Sequence, residues 1–245
     1  MARISHWAAV MPLTVCSCLT YWPAYGPKTQ DRWAALHFVN AIKGTPLAGY
    51  AQLRLSSGDS VTISRNTAAA APEWFAQLAV NALPWRDCAP CGIVPIPDAA
   101  CDLSATAPPH TLLLAEALAS QIGPDAVAVD LLRWVRSMAR AHAADGTRDP
   151  QVLYGRLRLK DRTWPIARQR LVLVDDVVAS GGHLRAAAAF LGDCGAVVTH
   201  AICAARASDT VNTAETAFEP TSLMLPDFQS DPDWLLPEVY EGVEL

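Results

Sequence analysis

The segment from residue 170 to 205 constrains the fold more than any other part of this 245-residue chain. It contains an apolar run, "RLVLVDD" (170–176), then a helical run, "GHLRAAAAFLGDCG" (182–195), and then a second apolar run, "AVVTHAICAA" (196–205). Short apolar runs bounded by turn residues are typical of buried strands. Strands that alternate with helices in this way predict a parallel sheet that is covered by helices on both faces.

The same alternation extends upstream to residue 91. "CGIVPIP" (91–97) predicts a short buried strand, "PPHTLLLAEALASQIG" (108–123) predicts a helix, and "VAVDLLRWV" (127–135) predicts the next strand. Prolines before the helix and Gly123 after it are ordinary helix boundaries. The basic segment 136–168 has few periodic apolar positions and predicts a long loop with some hairpin character. The predicted fold class is therefore α/β, with a parallel sheet flanked by helices.

The first ninety residues carry a different pattern. "AQLRLSSGDSVTISR" (51–65) alternates around a Ser-Gly-Asp turn and predicts a β-hairpin, and "APEWFAQLAVNAL" (71–83) predicts a helix. For the apolar start we expect a buried strand or helix and no signal peptide, because Pro12 interrupts it. We predict an N-terminal hood (1–90), a core (91–205) and an acidic tail that packs on the core (206–245).

Charge is distributed unevenly along the chain, whose net charge is −5. Residues 133–170 contain ten Lys or Arg and three Asp, or +7, whereas the rest carries nine basic and twenty-one acidic residues, or −12. This asymmetry predicts an anionic ligand or partner near the middle of the chain. The 51% hydrophobic and 18% charged content indicates a soluble globular protein, which we expect in the cytoplasm and not in a membrane.

The seven cysteines do not have the pattern of a secreted disulfide framework. Cys16 and Cys18 with Cys88 and Cys91 would supply four thiolates for zinc. However, a C-x-C pair is poor zinc spacing, and we expect mostly buried, reduced thiols.

Asp175 and Asp176 are the main candidates for chemistry, because they follow an apolar strand whose carboxyl end faces the ligand side of a parallel sheet. The next residues, "ASGGH", lead into a helix whose free N–H groups and dipole favour phosphate. Two carboxylates beside a phosphate repel it unless they bind sugar hydroxyls or a divalent cation. The pattern therefore predicts a sugar phosphate with Mg²⁺. A strand-end turn in which Asp175 caps the following residues is the purely structural alternative.

"VLVDDVVASGG" resembles the 5-phosphoribosyl-1-diphosphate (PRPP) signature of the type I phosphoribosyltransferases. "GIVPIP", "LLLAEALAS" and "LLRWVRS" follow in an order that resembles the ComF-like branch of that family, and the resemblance covers roughly residues 91–205. The resemblance implies that Asp175 and Asp176 contact ribose hydroxyls or hold Mg²⁺ through water. It also implies that one turn wraps the 5-phosphate, formed by Ala179, Ser180, Gly181, Gly182 and His183.

Three positions depart from the family pattern. Ala179 stands where enzymes acting on 6-oxopurines usually have an Asp, so salvage of hypoxanthine or guanine is not expected. His183 stands where Thr or Ser is usual, and it either donates to phosphate or simply begins the helix. The expected pyrophosphate loop, "DAACDLSATAPP" (98–109), has two acids and no base. Candidates for a pyrophosphate or lid role are Lys43, Pro97, Asp98, Arg136 and Arg140.

The resemblance implies transfer of ribose 5-phosphate from PRPP to a nitrogen nucleophile, with release of pyrophosphate. The alternative is a non-catalytic PRPP or nucleotide sensor, or an accessory protein in a nucleic-acid-related process. A third hypothesis is a nucleic-acid contact through the basic residues between Arg133 and Arg170. The expected ligand is PRPP or a ribose-phosphate nucleotide, and a homodimer is left open.

Overall fold

A six-stranded sheet forms the centre of this computed structural model. The structure describes residues 12–23, 29–83, 88, 91–138, 147–161, 164–209 and 217–225. The strands within these residues are β1 (Leu13–Tyr21), β2 (Tyr50–Arg54), β3 (Ser60–Ser64), β4 (Cys91–Pro95), β5 (Ala126–Ala128), β6 (Leu132–Trp134), β7 (Leu157–Leu159), β8 (Arg170–Val178), β9 (Val197–Ala207) and β10 (Thr221–Leu225). The helices are α1 (Gln30–Ile42), α2 (Ala71–Ala79), α3 (Thr111–Ile122), α4 (Pro150–Arg156) and α5 (Gly182–Asp193), and a 3-10 turn spans Ala68–Ala70.

The central sheet has the order β10–β1–β9–β8–β4–β5. Its pairs are parallel except at one edge, where β10 runs antiparallel to β1. The predicted α/β class, with a mostly parallel sheet and flanking helices, is confirmed. Because parallel strands end at the same edge, β1, β9, β8 and β4 bring their carboxyl ends together.

The sheet takes strands from outside residues 91–205. The apolar start of the chain is a strand, β1, and it pairs along β9 from Thr14↔His200 to Tyr21↔Ala207. From the other end of the chain, β10 pairs with β1 from Leu13↔Leu225 to Ser17↔Thr221. The first and last parts of the chain therefore contribute to the same sheet as residues 91–205. The division into hood, core and tail stays a prediction.

Two small sheets accompany the central one. The predicted hairpin is confirmed as β2 and β3, which pair from Tyr50↔Ser64 to Arg54↔Ser60. The single strand predicted at 127–135 is wrong, because the chain leaves the central sheet after Ala128. It then enters a separate antiparallel pair, β6–β7, from Leu132↔Leu159 to Trp134↔Leu157. Helix α4 and β7 also occupy part of the predicted long loop 136–168.

Two apolar clusters pack against opposite faces of the central sheet. One contains Phe38 of α1, Phe75 of α2 and Leu118 of α3. The other contains Leu184 and Leu191 of α5. Burying such a side chain contributes about 1.5–3 kcal/mol, so the two clusters hold the helices against the strands whose ends carry the polar residues. No helix among the described residues is long and apolar enough to cross a membrane.

Candidate functional site

Asp175 and Asp176 lie in β8 beyond the point at which its neighbour β4 has ended. The pairing of β4 with β8 ends at Pro95↔Val174, whereas β8 continues beside β9 to Val178↔Arg206. The Ile96 N–H still donates to the Val174 carbonyl oxygen at 2.9 Å, and Pro97, which lacks an N–H group, follows it. The predicted strand end at residue 176 is therefore two residues short. The early end of β4 leaves the acidic pair without a pairing partner in β4 at the carboxyl edge of the sheet.

Two basic side chains from different elements approach Asp176. Nζ of Lys43, the residue that caps the carboxyl end of α1, lies 3.9 Å from Asp176 Oδ2. Nε2 of His110, just before α3, lies 3.4 Å from the same oxygen. The side chain of Asp176 is only 18% exposed. Its carboxylate is therefore compensated by cationic groups from both the N-terminal part and the middle of the chain.

His110 also contacts Asp98, the residue that follows Pro97. Its Nδ1 lies 3.3 Å from Asp98 Oδ2, and its backbone N–H donates to the same oxygen at 3.2 Å. The structure thus brings together Lys43, Asp98 and Asp176 among the predicted site residues. His110 is a member of this group that the sequence patterns did not single out.

The acidic pair has carboxyl groups whose pKa values move in opposite directions. Burial, and then the neighbouring charge of Asp176, raise the pKa of Asp175 well above its ordinary value of 3.8. Burial also acts to raise the pKa of Asp176, but the His110 contact, Lys43 and the Val177 N–H together lower it. Environments that push two neighbouring pKa values apart give the two groups different protonation states. Asp176 is therefore the ionised member of the pair.

The pKa values of His110, Asp98 and Tyr21 are also shifted by the charges of this site. Contact with Asp176 raises the pKa of His110, against the effect of burial. The pKa of Asp98 is lowered, because its hydrogen bonds from His110 and from the turn outweigh burial. Burial first, and the Asp176 charge second, raise the pKa of Tyr21 at the end of β1. The end of β1 therefore lies within electrostatic range of the acidic pair.

The turn between β8 and α5 contains the predicted phosphate residues. Ala179 and Ser180 are exposed, Gly181 and Gly182 are buried, and Gly181 has a φ of 74°, in the left-handed region that favours glycine. Gly181 caps α5 without a side-chain hydrogen bond, although Ser180 Oγ accepts from the Gly182 N–H at 3.5 Å. The first amides of a helix and the positive end of its dipole favour an anion, and the phosphate-binding role of this turn stays a prediction.

Other segments of the chain enclose the turn. A Cβ atom on Gly182 would collide with the backbone carbonyl of Arg148, and one on Gly181 would collide with the side chain of Leu225. The two glycines therefore permit close packing of the chain itself. The Arg148 charge also acts, after burial, to lower the pKa of His183, so a basic side chain lies near the start of α5.

His183 and Pro97 are linked through Trp134. The rings of Trp134 and His183 meet edge to face, with centroids 5.8 Å apart. The indole Nε1 of Trp134 donates to the carbonyl oxygens of Pro97, at 3.2 Å, and Asp98, at 3.1 Å. The buried Trp134 therefore fixes the start of α5 relative to the loop that follows β4.

The loop after β4 uses both of its acids in internal contacts. Asp98 holds His110, and Asp102 accepts hydrogen bonds from Ser104 and from the backbone and hydroxyl of Ser137. The bonds from Ser104 and then Ser137 lower the pKa of Asp102 to about 2. These contacts tie the loop to the segment after β6, where Arg136 is exposed. Arg140, the remaining lid candidate, lies outside the described residues.

The basic residues that the structure describes between 133 and 170 do not form one surface. Arg133 is only 1% exposed and binds Asp130 through two nitrogens, and Lys160 binds the same carboxylate at 2.6 Å. Arg170 begins β8 and therefore lies at the amino edge of the sheet, opposite the acidic pair. Much of the positive charge in this segment is thus used in internal contacts or directed away from the site.

The acidic pair offers oxygen ligands of the kind that Mg²⁺ prefers. Mg²⁺ in proteins commonly takes one or two carboxylates and completes its coordination with water and ligand phosphates. No group of three or more His, Cys, Asp or Glu side chains suited to a metal ion occurs in the part of the chain that the structure describes. Asp175 and Asp176 supply two carboxylates, a number that Mg²⁺ accepts when water and ligand phosphates complete its shell, and Mg²⁺ binding stays a prediction. None of the seven cysteines, all of which lie within the described residues, forms a disulfide, and six of them are buried, as expected.

Comparison with known proteins yields a short match. Over 36 residues the chain is 61% identical to the adenine phosphoribosyltransferase of Mycolicibacterium smegmatis. The match covers 15% of this chain and only 20% of that enzyme's length. No family model matches the chain. The short match supports a relationship with phosphoribosyltransferases, whereas the ComF-like branch stays a prediction.

Proposed function

We propose that this chain binds PRPP at the carboxyl edge of the central sheet and transfers its ribose 5-phosphate to a nitrogen nucleophile, releasing pyrophosphate. The observation that carries the proposal is the meeting of an acidic pair with a glycine turn at the start of α5. Carboxylates accept hydrogen bonds from sugar hydroxyls, and helix N-termini bind phosphate. The short match to an adenine phosphoribosyltransferase supports the same class of reaction.

Each part of the site has a role in this proposal. Asp176, kept ionised by His110 and Lys43, accepts hydrogen bonds from the ribose hydroxyls. The amides at the start of α5 bind the 5-phosphate, with the Ser180 hydroxyl beside them. When bound, Mg²⁺ would neutralise charge on the pyrophosphate group, with Asp175 and Asp176 holding it directly or through water. In the proposed reaction, the chain therefore holds the two ends of the ribose 5-phosphate unit in a fixed orientation.

The proposed catalysis rests on positioning and charge and not on a base next to the phosphate turn. Ala179 cannot accept or donate a proton, so the acceptor must reach the reaction as a competent nucleophile or be deprotonated elsewhere. Fixing ribose C1 next to the nucleophile, with its leaving group neutralised, lowers the barrier without such a base. This requirement disfavours 6-oxopurine acceptors.

The alternative is a non-catalytic PRPP or nucleotide sensor, or a ComF-like accessory protein. The observation that favours it is the loop after β4, which has no Lys or Arg and uses Asp98 and Asp102 in internal hydrogen bonds. Such a loop offers pyrophosphate backbone amides and hydroxyl groups but no positive charge. A sensor would retain the acidic pair and the glycine turn but would not release pyrophosphate. The division of the basic residues between two edges disfavours the third hypothesis, one continuous nucleic-acid surface.

The test has a binding stage and a reaction stage. PRPP with Mg²⁺ at millimolar concentration should raise the Tm of the parent protein, and the double variant Asp175→Asn, Asp176→Asn should not respond. Incubation with PRPP, Mg²⁺ and a panel of nitrogenous bases should then release pyrophosphate with at least one base. Binding without release would select the sensor, and no Tm shift in the parent would refute both functions.

A further inference from the structure

His110 has no basic neighbour in the sequence around it, and its backbone is held in place at the start of α3. It is the only His, Lys or Arg between Asp87 and Leu132, a stretch that includes the whole loop after β4. The next residue, Thr111, donates its hydroxyl to the carbonyl oxygen of Ile96 at 2.6 Å and is buried. This bond fixes the start of α3 against the end of β4, and with it the backbone of His110.

Both edges of the His110 ring face carboxylates. Nδ1 lies 3.3 Å from Asp98 and Nε2 lies 3.4 Å from Asp176. The Nε2 atom is shielded from solvent and has no well-aligned hydrogen bond within the described residues, so its polar contact there is the approach to Asp176. Because the backbone N–H of His110 also binds Asp98, a rotation of the ring would break at least one of these contacts.

Lys43 does not duplicate this arrangement. Its Nζ approaches Asp176 at 3.9 Å, and it forms no ion pair with Asp98 within the described residues. A flexible ammonium group at that distance neutralises charge but does not set the orientation of a carboxylate. The link between Asp98 and Asp176 therefore runs through the imidazole ring.

We propose that His110 is a positioning residue that couples the turn at Asp98 to Asp176, so that the two ends of the site act together on a ligand. The inference rests on the proposed function, in which Asp176 binds the ribose and the turn after β4 lies at the pyrophosphate end. A ligand that reaches both ends gains from the link, whereas a ligand that lacks the pyrophosphate gains from one end only. His110 thus sets the preference for PRPP over ribose 5-phosphate.

The first test uses the protein without ligand. The double-mutant cycle compares the parent, Asp98→Asn, Asp176→Asn and the double variant. The Tm loss of the double variant should be about 2–4 °C smaller than the sum of the two single losses, because both substitutions break the same network. When the same cycle is repeated in the His110→Ala variant, the two losses should be additive. Asp102→Asn is the matched control, because Asp102 lies in the same loop and contacts Ser104 and Ser137. Additive losses in the parent, or a difference that persists without His110, would overturn the coupling.

The second test uses conservative variants and two ligands. His110→Asn keeps an amide near the Nδ1 position and loses Asp176, whereas His110→Gln keeps one near Nε2 and loses Asp98. Both variants should weaken PRPP binding roughly tenfold and ribose 5-phosphate binding less than about threefold, measured by calorimetry with Mg²⁺. Parent-like preference in either variant would show that a single contact suffices and would refute the coupling. If the parent bound no PRPP, the proposed function would fail, while the ligand-free cycle would still decide the role of His110.

Discussion

The backbone carbonyl of Arg148 occupies the space that a Cβ atom on Gly182 would need. A residue from the basic segment before α4 therefore packs directly on the turn that is proposed to hold phosphate. The glycine has a structural reason to be there, in addition to any approach by a ligand. Alanine substitutions at Gly182 and Gly192 distinguish the effect of this close contact on stability from the effect of helix propensity.

Gly182→Ala should lower the free energy of unfolding by about 1–3 kcal/mol, the usual cost of overpacking a close contact. Gly192 lies in the same helix, and a Cβ atom there would meet open space out to 4 Å among the described residues. Gly192→Ala should therefore be neutral or stabilise by up to about 1 kcal/mol, because alanine is the better helix former. Urea unfolding of the three proteins measures both effects, and equal stabilities would contradict the contact with Arg148.

The raised pKa of Asp175 predicts a pH dependence of stability. A carboxyl group whose pKa is higher in the folded state stabilises the fold below its unfolded pKa, and this contribution is lost as pH rises through the folded value. The stability of Asp175→Asn relative to the parent should therefore increase as the pH rises above the ordinary carboxyl pKa of about 4, measured by urea unfolding.

Asp102→Asn provides a control of opposite sign. Hydrogen bonds from Ser104 and Ser137 lower the pKa of Asp102, so its contribution is present above its unfolded pKa and is lost on acidification. The stability deficit of Asp102→Asn should shrink as the pH falls from about 4 to about 2. If the difference in unfolding free energy between the parent and Asp175→Asn did not change with pH, the raised pKa of Asp175 would be contradicted.

Two neighbouring arginines should differ sharply in their importance for stability. Arg133 is buried against Asp130, so Arg133→Leu leaves a carboxylate with only Lys160 and should cost about 3 kcal/mol. Arg136 is exposed, and Arg136→Leu should change stability by less than about 0.5 kcal/mol. Thermal unfolding of both variants measures the contrast. Similar losses would mean that Arg133 is not the internal partner described for Asp130.

Lys43 should matter more for ligand binding than for stability. Its contact with Asp176 is long and partly exposed, so Lys43→Met should cost no more than about 1 kcal/mol in unfolding free energy. The same change removes positive charge beside the acidic pair and should weaken PRPP binding several-fold, most strongly at low salt. Lys160→Met is the control, since Lys160 also binds an aspartate but lies with Asp130. Equal effects of the two lysines on PRPP affinity would count against a place for Lys43 in the site.

The pattern of apolar residues predicts most of the strands and helices between residues 91 and 205, because apolar strands and helices alternate there with clear boundaries. It fails at 127–135, where Val129 and Leu131 stay apolar while the chain moves from β5 to β6. Burial looks the same in either sheet, so a one-dimensional pattern contains no sign of the change. The apolar start of the chain is uninformative for the same reason, since it fits a strand as well as a helix.

The candidate site shows the same division between local and tertiary information. Asp175 and Asp176 stand out because two adjacent acids after an apolar strand are locally anomalous. His110 does not, because its meaning depends on α3 beginning beside the end of β8. A positional signal was available: a helix that follows a strand of a parallel sheet begins at the carboxyl edge, where Asp175 also lies. The role of Lys43 depends in the same way on where α1 ends.

The position of β1 bears on how this protein can be divided for experiments. Strand β9 pairs with β8 on one side, between Val197 and Arg206, and with β1 on the other, between His200 and Ala207. A fragment limited to residues 91–205 would lose β1, and a long row of unpaired peptide groups on β9 would become an open template for other chains. It would also lose the ammonium group of Lys43 beside Asp176. Such a fragment should self-associate, and its ligand binding would not represent that of the intact chain.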